Sequence, residues 1–130
     1  MERPPGVPAE FDVLTVVFLV RPPEPPEFSD ADLERLQLEH LAYGFDLGNR
    51  GITVANGPLV DQSDPAMRGM TVYAVGATEA LAIARADPMV RAGRLQAHVA
   101  RWWTGVGKID FPEHDGGVAD RQRLEDMHMR

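Results

Sequence analysis

Hydrophobic and polar positions divide the chain into segments with two different periods. Over Asp12–Val20, apolar β-branched and aromatic residues occupy odd-numbered and even-numbered positions alike. This is typical of a strand covered on both faces. Farther along, Ser29 and Asp32 form a capping pattern, and the apolar spacing behind it predicts a helix over 30–49 that Gly51 ends. The fold is therefore predicted to begin with a buried strand followed by a helix.

The remaining elements follow from the same criteria. Short β-branched runs predict further strands at Ile52–Ala55, Met70–Val75 and Leu95–Trp103. The tripeptide Asn56–Pro58 is predicted to break the first of these runs, and a second helix is predicted from Thr78 to a terminator at Asp87–Pro88. The order strand, helix, strand, strand, helix, strand predicts an α+β ferredoxin-like fold, βαββαβ, whose antiparallel sheet carries two helices on one face.

A sheet of this kind has a second face without helices. The first strand is apolar on that face too, and a large bare apolar face is uncommon in a monomer. We therefore expect a homodimer in which two such sheets pack face to face.

The length of 130 residues and the 44% hydrophobic content fit one domain. We assign residues 1–10 to an N-terminal arm, 11–104 to the domain and 105–130 to a C-terminal tail. The tail is compatible with a helix over 119–129, and it either docks on the partner subunit or stays mobile. The segment 21–27 carries four prolines and is predicted to be an extended loop.

Charge and composition narrow the possible partners. The formal net charge of −7 disfavours binding to nucleic acid, and the apolar run Val13–Val20 is far shorter than the roughly 20 residues of a membrane-spanning helix. There is no cysteine, so disulfides, thiolate nucleophiles and zinc–thiolate sites are excluded. We expect a cytoplasmic protein that binds neither nucleic acid nor a membrane.

The most informative candidate for chemistry is a pairing of His40 with Asp87. A carboxylate bonded to one ring nitrogen of histidine fixes the tautomer and leaves the other nitrogen for a substrate proton. The spacing alone leaves a structural interpretation open. An Asp before Pro commonly ends a helix, and a histidine on a leucine-bearing helix face is often a hydrogen-bonded core residue.

Other chemistries have little support in the sequence. The histidines show neither i,i+4 pairing nor a His-Glu-x-x-His motif, so no metal site is predicted. There is no Gly-x-Ser-x-Gly elbow, and Gly105-Val106-Gly107 lacks the third glycine of a dinucleotide fingerprint. The sequence therefore predicts a site without metal or organic cofactor.

Four residues are predicted to bind the substrate: Tyr43, Asn56, Arg91 and Trp102. The tyrosine follows the candidate histidine by one helical turn, and Arg91, together with Arg94, is suited to hold an anionic group. Trp102 is a candidate wall for an aromatic ligand. The alternative interpretations are helix packing for Tyr43, core packing for Trp102 and an exposed, solvated position for the two arginines.

Several motifs in a fixed order resemble the YciI-like (YCII-related) domain family over roughly residues 11–104. They are His40-Leu41-Ala42-Tyr43, Ala55-Asn56-Gly57-Pro58-Leu59-Val60-Asp61, the strand before Thr78-Glu79-Ala80, Ala86-Asp87-Pro88 through Ala92-Gly93, and Val99 to Trp102. The resemblance implies a dimeric α+β barrel whose active site holds His40 and Asp87. One type of relative is a chlorohydroxyhydroquinone dehydrochlorinase of aromatic catabolism, and muconolactone isomerases have a similar dimeric barrel.

The sequence also departs from that family. Residues 36–39 read Leu-Gln-Leu-Glu where many members have a basic residue and a proline, and Asn56 interrupts what is often Ala-Gly-Pro. The expected function is a cofactor-independent lyase or isomerase that acts on a small cyclic or aromatic metabolite by His–Asp proton transfer. The alternatives are a non-catalytic module that binds a small molecule and a structural partner that docks through its tail.

Overall fold

The computed structural model describes residues 2, 4–7 and 9–111. Its elements, in chain order, are β1 (Phe11–Val20), α1 (Asp30–Asn49), β2 (Thr53–Pro58), β3 (Met67–Tyr73), α2 (Ala77–Arg85), α3 (Pro88–Arg91) and β4 (Gln96–Gly105). The strands form one antiparallel sheet in the order β2-β3-β1-β4. The predicted ferredoxin-like α+β fold is confirmed.

The sheet separates β1 into two faces. Val17 lies opposite Thr71 of β3 and Val99 of β4 on the face that carries the helices, whereas Val16 points to the other face. Val16 and Val17 are each only 1% exposed. The centre of β1 is therefore buried on both faces. This agrees with the prediction from its apolar residues at odd-numbered and even-numbered positions.

The helices cover one face of the sheet and enclose the main core. The core residues are Val17, Leu19, Leu36, Tyr73, Ala80, Ala84, Met89 and Leu95. The start of α1 is as predicted, because the Ser29 hydroxyl accepts a hydrogen bond from the backbone N–H of Asp32 at 3.1 Å. After the C-cap at Arg50, Gly51 adopts a φ of 73°, a left-handed conformation in which glycine is favoured.

The prediction that Asn56–Pro58 breaks β2 is wrong. Asn56 pairs with Thr71 and Pro58 with Gly69, and a bulge lies between Thr53 and Ala55. Because β2 is an edge strand, a proline at its end removes no hydrogen bond that the sheet needs. The turn-forming residues therefore extend the strand beside α1.

Asp87–Pro88 ends α2 as predicted, but it also begins a helix that the sequence analysis missed. Asp87 is the N-cap of α3, and its side chain accepts from the backbone N–H of Met89. Pro88 occupies the first turn, where a missing N–H costs nothing. The same dipeptide is therefore both a stop and a start signal.

The two tryptophans of β4 lie outside the core of the described chain. Trp102 is 41% exposed and Trp103 is 65% exposed, so core packing, the alternative interpretation of Trp102, is wrong. The Trp103 ring packs against Phe11 with 5.7 Å between the ring centroids.

The predicted helix over 119–129 lies outside the described residues. Among those that are described, no helix is both long and apolar enough to cross a membrane.

Candidate functional site

A cavity of about 530 Å³ lies between α1 and the part of the sheet formed by β2 and the adjoining strand ends. This volume suits a small organic ligand. Much of its wall is apolar and includes Leu19, Leu33, Leu41, Phe45, Met89 and Leu95. The polar residues of the wall include His40, Asn56 and three arginines, Arg21, Arg68 and Arg94.

His40 and Asp87 meet at the wall of this cavity. His40 lies midway along α1, and Asp87 caps α3, which packs beside α1. The distance between His40 Nδ1 and Asp87 Oδ2 is 2.7 Å. The other carboxylate oxygen, Oδ1, accepts from the backbone N–H of Met89 at 2.8 Å. The cap of α3 therefore fixes the carboxylate in the position that the imidazole requires.

This contact determines how the imidazole is used. An ionised Asp87 accepts hydrogen bonds, so in the neutral form of the His40 ring the proton lies on Nδ1 and Nε2 holds a lone pair. Within the described part of the chain, no hydrogen bond involves Nε2. The Asp87 side chain is 8% exposed, whereas that of His40 is 24% exposed. The carboxylate is therefore enclosed, and the ring is accessible from the cavity.

Tyr43 lies behind the dyad. Its hydroxyl donates to the carbonyl of Ile83 at 2.9 Å, and the residue borders a small cavity of about 20 Å³ that Asp87 also lines. Burial, and secondly the negative charge of Asp87, raise the pKa of Tyr43. Burial is also the main cause that raises the pKa of Tyr73 to about 12. Both phenols are therefore neutral at physiological pH, and the substrate-binding role of Tyr43 stays a prediction.

Asn56 faces the same cavity as His40. Its Oδ1 accepts from the Thr71 hydroxyl at 2.9 Å, which turns the amide nitrogen toward α1. A Cβ atom at Gly44 would lie 2.7 Å from that nitrogen, so only glycine at this position permits the approach. Gly44 follows His40 by one helical turn. The amide N–H groups and the imidazole are thereby held beside one ligand space.

The remaining predicted residues lie elsewhere on the chain. Arg91 is exposed in α3 and is not among the residues that line the cavity. Trp102 pairs with Leu14 on the sheet face opposite the helices. Their substrate-binding roles stay predictions, whereas Arg94 does line the cavity. Among the described residues, no three metal-ligating side chains lie together.

The sequence analysis missed most of the cavity wall, including three residues that shape the site: Gly44, Arg21 and Arg68. Their positions follow from tertiary structure, since the glycine matters only when β2 packs on α1. The arginines occupy separate segments that adjoin only in the sheet. No local motif in the sequence marks any of the three.

The role of Gly44 is tested by comparison with Gly48, one turn later in α1. At Gly48 a Cβ would meet only Thr53 Oγ1 at 3.6 Å, an ordinary contact. We expect Gly48→Ala to raise the free energy of unfolding by up to about 1 kcal/mol through helix propensity. Gly44→Ala should lose this gain, because moving the amide breaks the Asn56–Thr71 bond, worth about 0.5–1.5 kcal/mol. Urea denaturation measures both, and equal stabilisation would contradict the close approach.

No protein-family model matches this sequence, and no curated protein matches it either. A solved structure similar to this chain is the 5-chloro-2-hydroxyhydroquinone dehydrochlorinase from Burkholderia phenoliruptrix AC1100, in complex with 2,5-dihydroxybenzoquinone. The match has 19% sequence identity and a TM-score of 0.50, and it covers 68% of this chain and 92% of the other. At this level of identity the likeness supports the α+β fold alone.

Proposed function

We propose that the protein is a lyase or isomerase that acts without a cofactor on a small cyclic or aromatic molecule. His40 serves as the general base and acid, and Asp87 orients it. The observation that carries this proposal is the 2.7 Å contact between His40 Nδ1 and Asp87 Oδ2 at the wall of a cavity of about 530 Å³. Proton transfer between carbon and a positioned imidazole suits this arrangement.

The proposed reaction begins when Nε2 of His40 removes a proton from an acidic carbon of the ligand. Asp87 stabilises the imidazolium that forms, and the electron pair moves into the ring or an adjacent carbonyl. In an elimination this electron pair then expels a leaving group such as chloride, and the imidazolium releases its proton to solvent. In an isomerisation the imidazolium returns the proton to another carbon. In both cases the atoms balance without an oxidant or reductant.

Asn56 is proposed to assist at the oxygen where negative charge develops. Its amide donates two N–H groups, and the contact with Thr71 fixes their direction. A fixed donor aimed at a developing oxyanion stabilises the transition state without reorganisation. The imidazole and the amide would therefore act on neighbouring atoms of one ligand.

The structural neighbour gives the substrate class a starting point. That protein is a 5-chloro-2-hydroxyhydroquinone dehydrochlorinase. The motif resemblance is the basis for the proposal that this chain belongs to the YciI-like group of the dimeric α+β barrels, and the shared fold agrees with it. Chlorinated hydroxyquinols and enol-lactones are therefore the first compounds to test.

A homodimer is proposed as the working form. The sheet face opposite the helices carries Leu14, Val16 and Phe18 of β1, with Trp102 of β4 beside them. A second copy that packs on this face would bury the exposed part of Trp102. The substrate-binding role predicted for Trp102 would then be carried out at the dimer interface or in the site of the partner subunit.

One observation favours a second function, that of a module that binds a ligand without turning it over. Asp87 has a structural duty as the N-cap of α3, and this duty alone accounts for one of its two oxygens. Incubation of the protein with chlorinated hydroxyquinols and enol-lactones distinguishes the two functions. We expect absorbance changes with release of chloride or a shifted double bond. Saturable binding without any product would favour the binding module.

A further inference from the structure

The strand register brings three arginines to one end of the sheet. Arg21 follows the last residue of β1, and its backbone N–H donates to Ala66 at 2.8 Å, just before β3. Arg68 lies in β3 and Arg94 lies two residues before β4, whose first residue pairs with the last of β1. All three side chains line the cavity that His40 lines.

The described wall of the cavity contains no carboxylate beside Arg21 and Arg94. Among the described residues that line the cavity, none is Asp or Glu, although the chain as a whole has a net charge of −7. The ion pairs of the described residues include neither Arg21 nor Arg94. Arg21 Nε is buried without a hydrogen-bond partner in the described structure. A buried N–H without an acceptor is costly, which leaves Arg21 incompletely satisfied within the described structure.

The three charges also repel one another. Burial first, and then the positive charges of Arg94 and Arg68, lower the pKa of Arg21. Burial and the charge of Arg68 lower the pKa of Arg94 in the same way. Grouped cations in a partly desolvated wall create a strong positive potential, which a bound anion relieves.

The loop before α1 holds this part of the wall in place. A Cβ atom at Gly93 would lie 3.3 Å from Cγ of Pro26, so the Pro-rich segment packs against the residue next to Arg94. Gly93 itself has a φ of 79°. The proline-rich sequence thus supports a rigid rim beside the arginines.

We propose that the arginine cluster, Arg21, Arg68 and Arg94, binds an oxyanion carried on a ring, either a carboxylate or a phosphate. The planar guanidinium suits both groups, because it donates two parallel hydrogen bonds to adjacent oxygens. The apolar wall formed by residues such as Leu33, Leu41 and Phe45 accepts the ring. Only the statement that this ligand is the substrate rests on the proposed lyase or isomerase function.

The test uses three aromatic probes of similar size at low salt. Benzoate and phenyl phosphate carry the two oxyanions, and benzamide is their neutral counterpart. Isothermal titration calorimetry is performed on the full chain and on Arg21→Gln, Arg94→Gln and the matched control Arg85→Gln. Arg85 is an exposed arginine of α2 outside the cavity wall. Circular dichroism verifies that each variant is folded, and Arg94→Lys keeps the charge without the planar fork.

We expect at least one anion to bind the wild type more tightly than benzamide does. Arg94→Gln and Arg21→Gln should each weaken that binding about tenfold or more, and Arg85→Gln should leave it unchanged. Preference for benzoate or for phenyl phosphate identifies the oxyanion. Equal binding of benzamide and the anions, no binding of either anion, or insensitivity to both Gln variants would overturn the proposal.

The proposed catalytic function can be disproved independently of the arginine site. His40→Ala should retain the arginine-dependent binding of the anion, because it leaves the guanidinium groups in place. If anions bind as expected but no compound is turned over, the arginine site stands and the lyase or isomerase function is wrong. If turnover depends on His40 but not on Arg21 or Arg94, the anion that the arginines bind is not the substrate, and the proton-transfer function stands.

Discussion

Replacement of His40 by alanine is expected to lower kcat/KM for a substrate of this protein by about 10² to 10⁴. The imidazole of His40 is a titratable group in the cavity wall. Its Nε2 atom takes part in none of the described hydrogen bonds. Loss of the base removes the acceptor for the substrate proton and the donor that returns it. Steady-state kinetics should place the loss mainly in kcat, because the arginines and the apolar wall still hold the ligand.

Asp87→Asn provides the companion measurement. An asparagine amide donates a hydrogen bond where the carboxylate accepts one, so it favours the histidine tautomer that carries its proton on Nε2. We expect a large loss of kcat with an intact fold, since the amide oxygen can still cap α3. Arg85→Gln should have no effect. Full turnover by His40→Ala would contradict the assignment of the histidine as the base.

Asp87→Ala is expected to cause the largest loss of stability among the substitutions at the site. It removes the cap of α3, worth about 0.5–2 kcal/mol, and it leaves His40 Nδ1 without its partner, at a cost of about 1–3 kcal/mol. The side chain is 8% exposed, so water replaces neither contact fully. The free energy of unfolding should therefore fall by about 2–4 kcal/mol in urea or thermal denaturation.

Asp64 provides the matched control. Its side chain accepts from the backbone N–H two residues later, that of Ala66, at 3.0 Å, just as Asp87 accepts from Met89. Asp64 is exposed and has no histidine partner among the described contacts. Asp64→Ala should therefore cost clearly less than Asp87→Ala. Equal losses would mean that the contact with His40 contributes nothing to the folded state.

The secondary structure was largely predictable because it depends on local patterns. The apolar residues of β1 and the Ser29 cap of α1 act within a few residues of chain, and the structure has both elements as predicted. The end of β2 and the start of α3 were not predictable in the same way. Pro58 is tolerated because β2 is an edge strand. Asp87 begins α3 because one carboxylate oxygen accepts from the backbone N–H of Met89, and its other oxygen contacts His40.

The candidate site was predictable only where a resemblance linked distant residues. His40 and Asp87 are 47 positions apart, and spacing alone left a structural interpretation open. The arginine cluster and Gly44 were missed, because the sheet register and the packing of β2 on α1 bring those residues to the cavity. Trp102 was interpreted as a core residue or a pocket wall, and its exposure depends on what covers the open sheet face.

The most direct test of the account is a long-range proton–nitrogen NMR spectrum of the His40 ring, recorded with the ring neutral. The signals of His40 are identified as those that His40→Ala removes. We predict that Nδ1 carries the proton in the wild type and that Asp87→Asn moves it to Nε2. If Nε2 carries the proton in both proteins, then Asp87 does not orient the imidazole, and the proposed proton-transfer dyad is wrong.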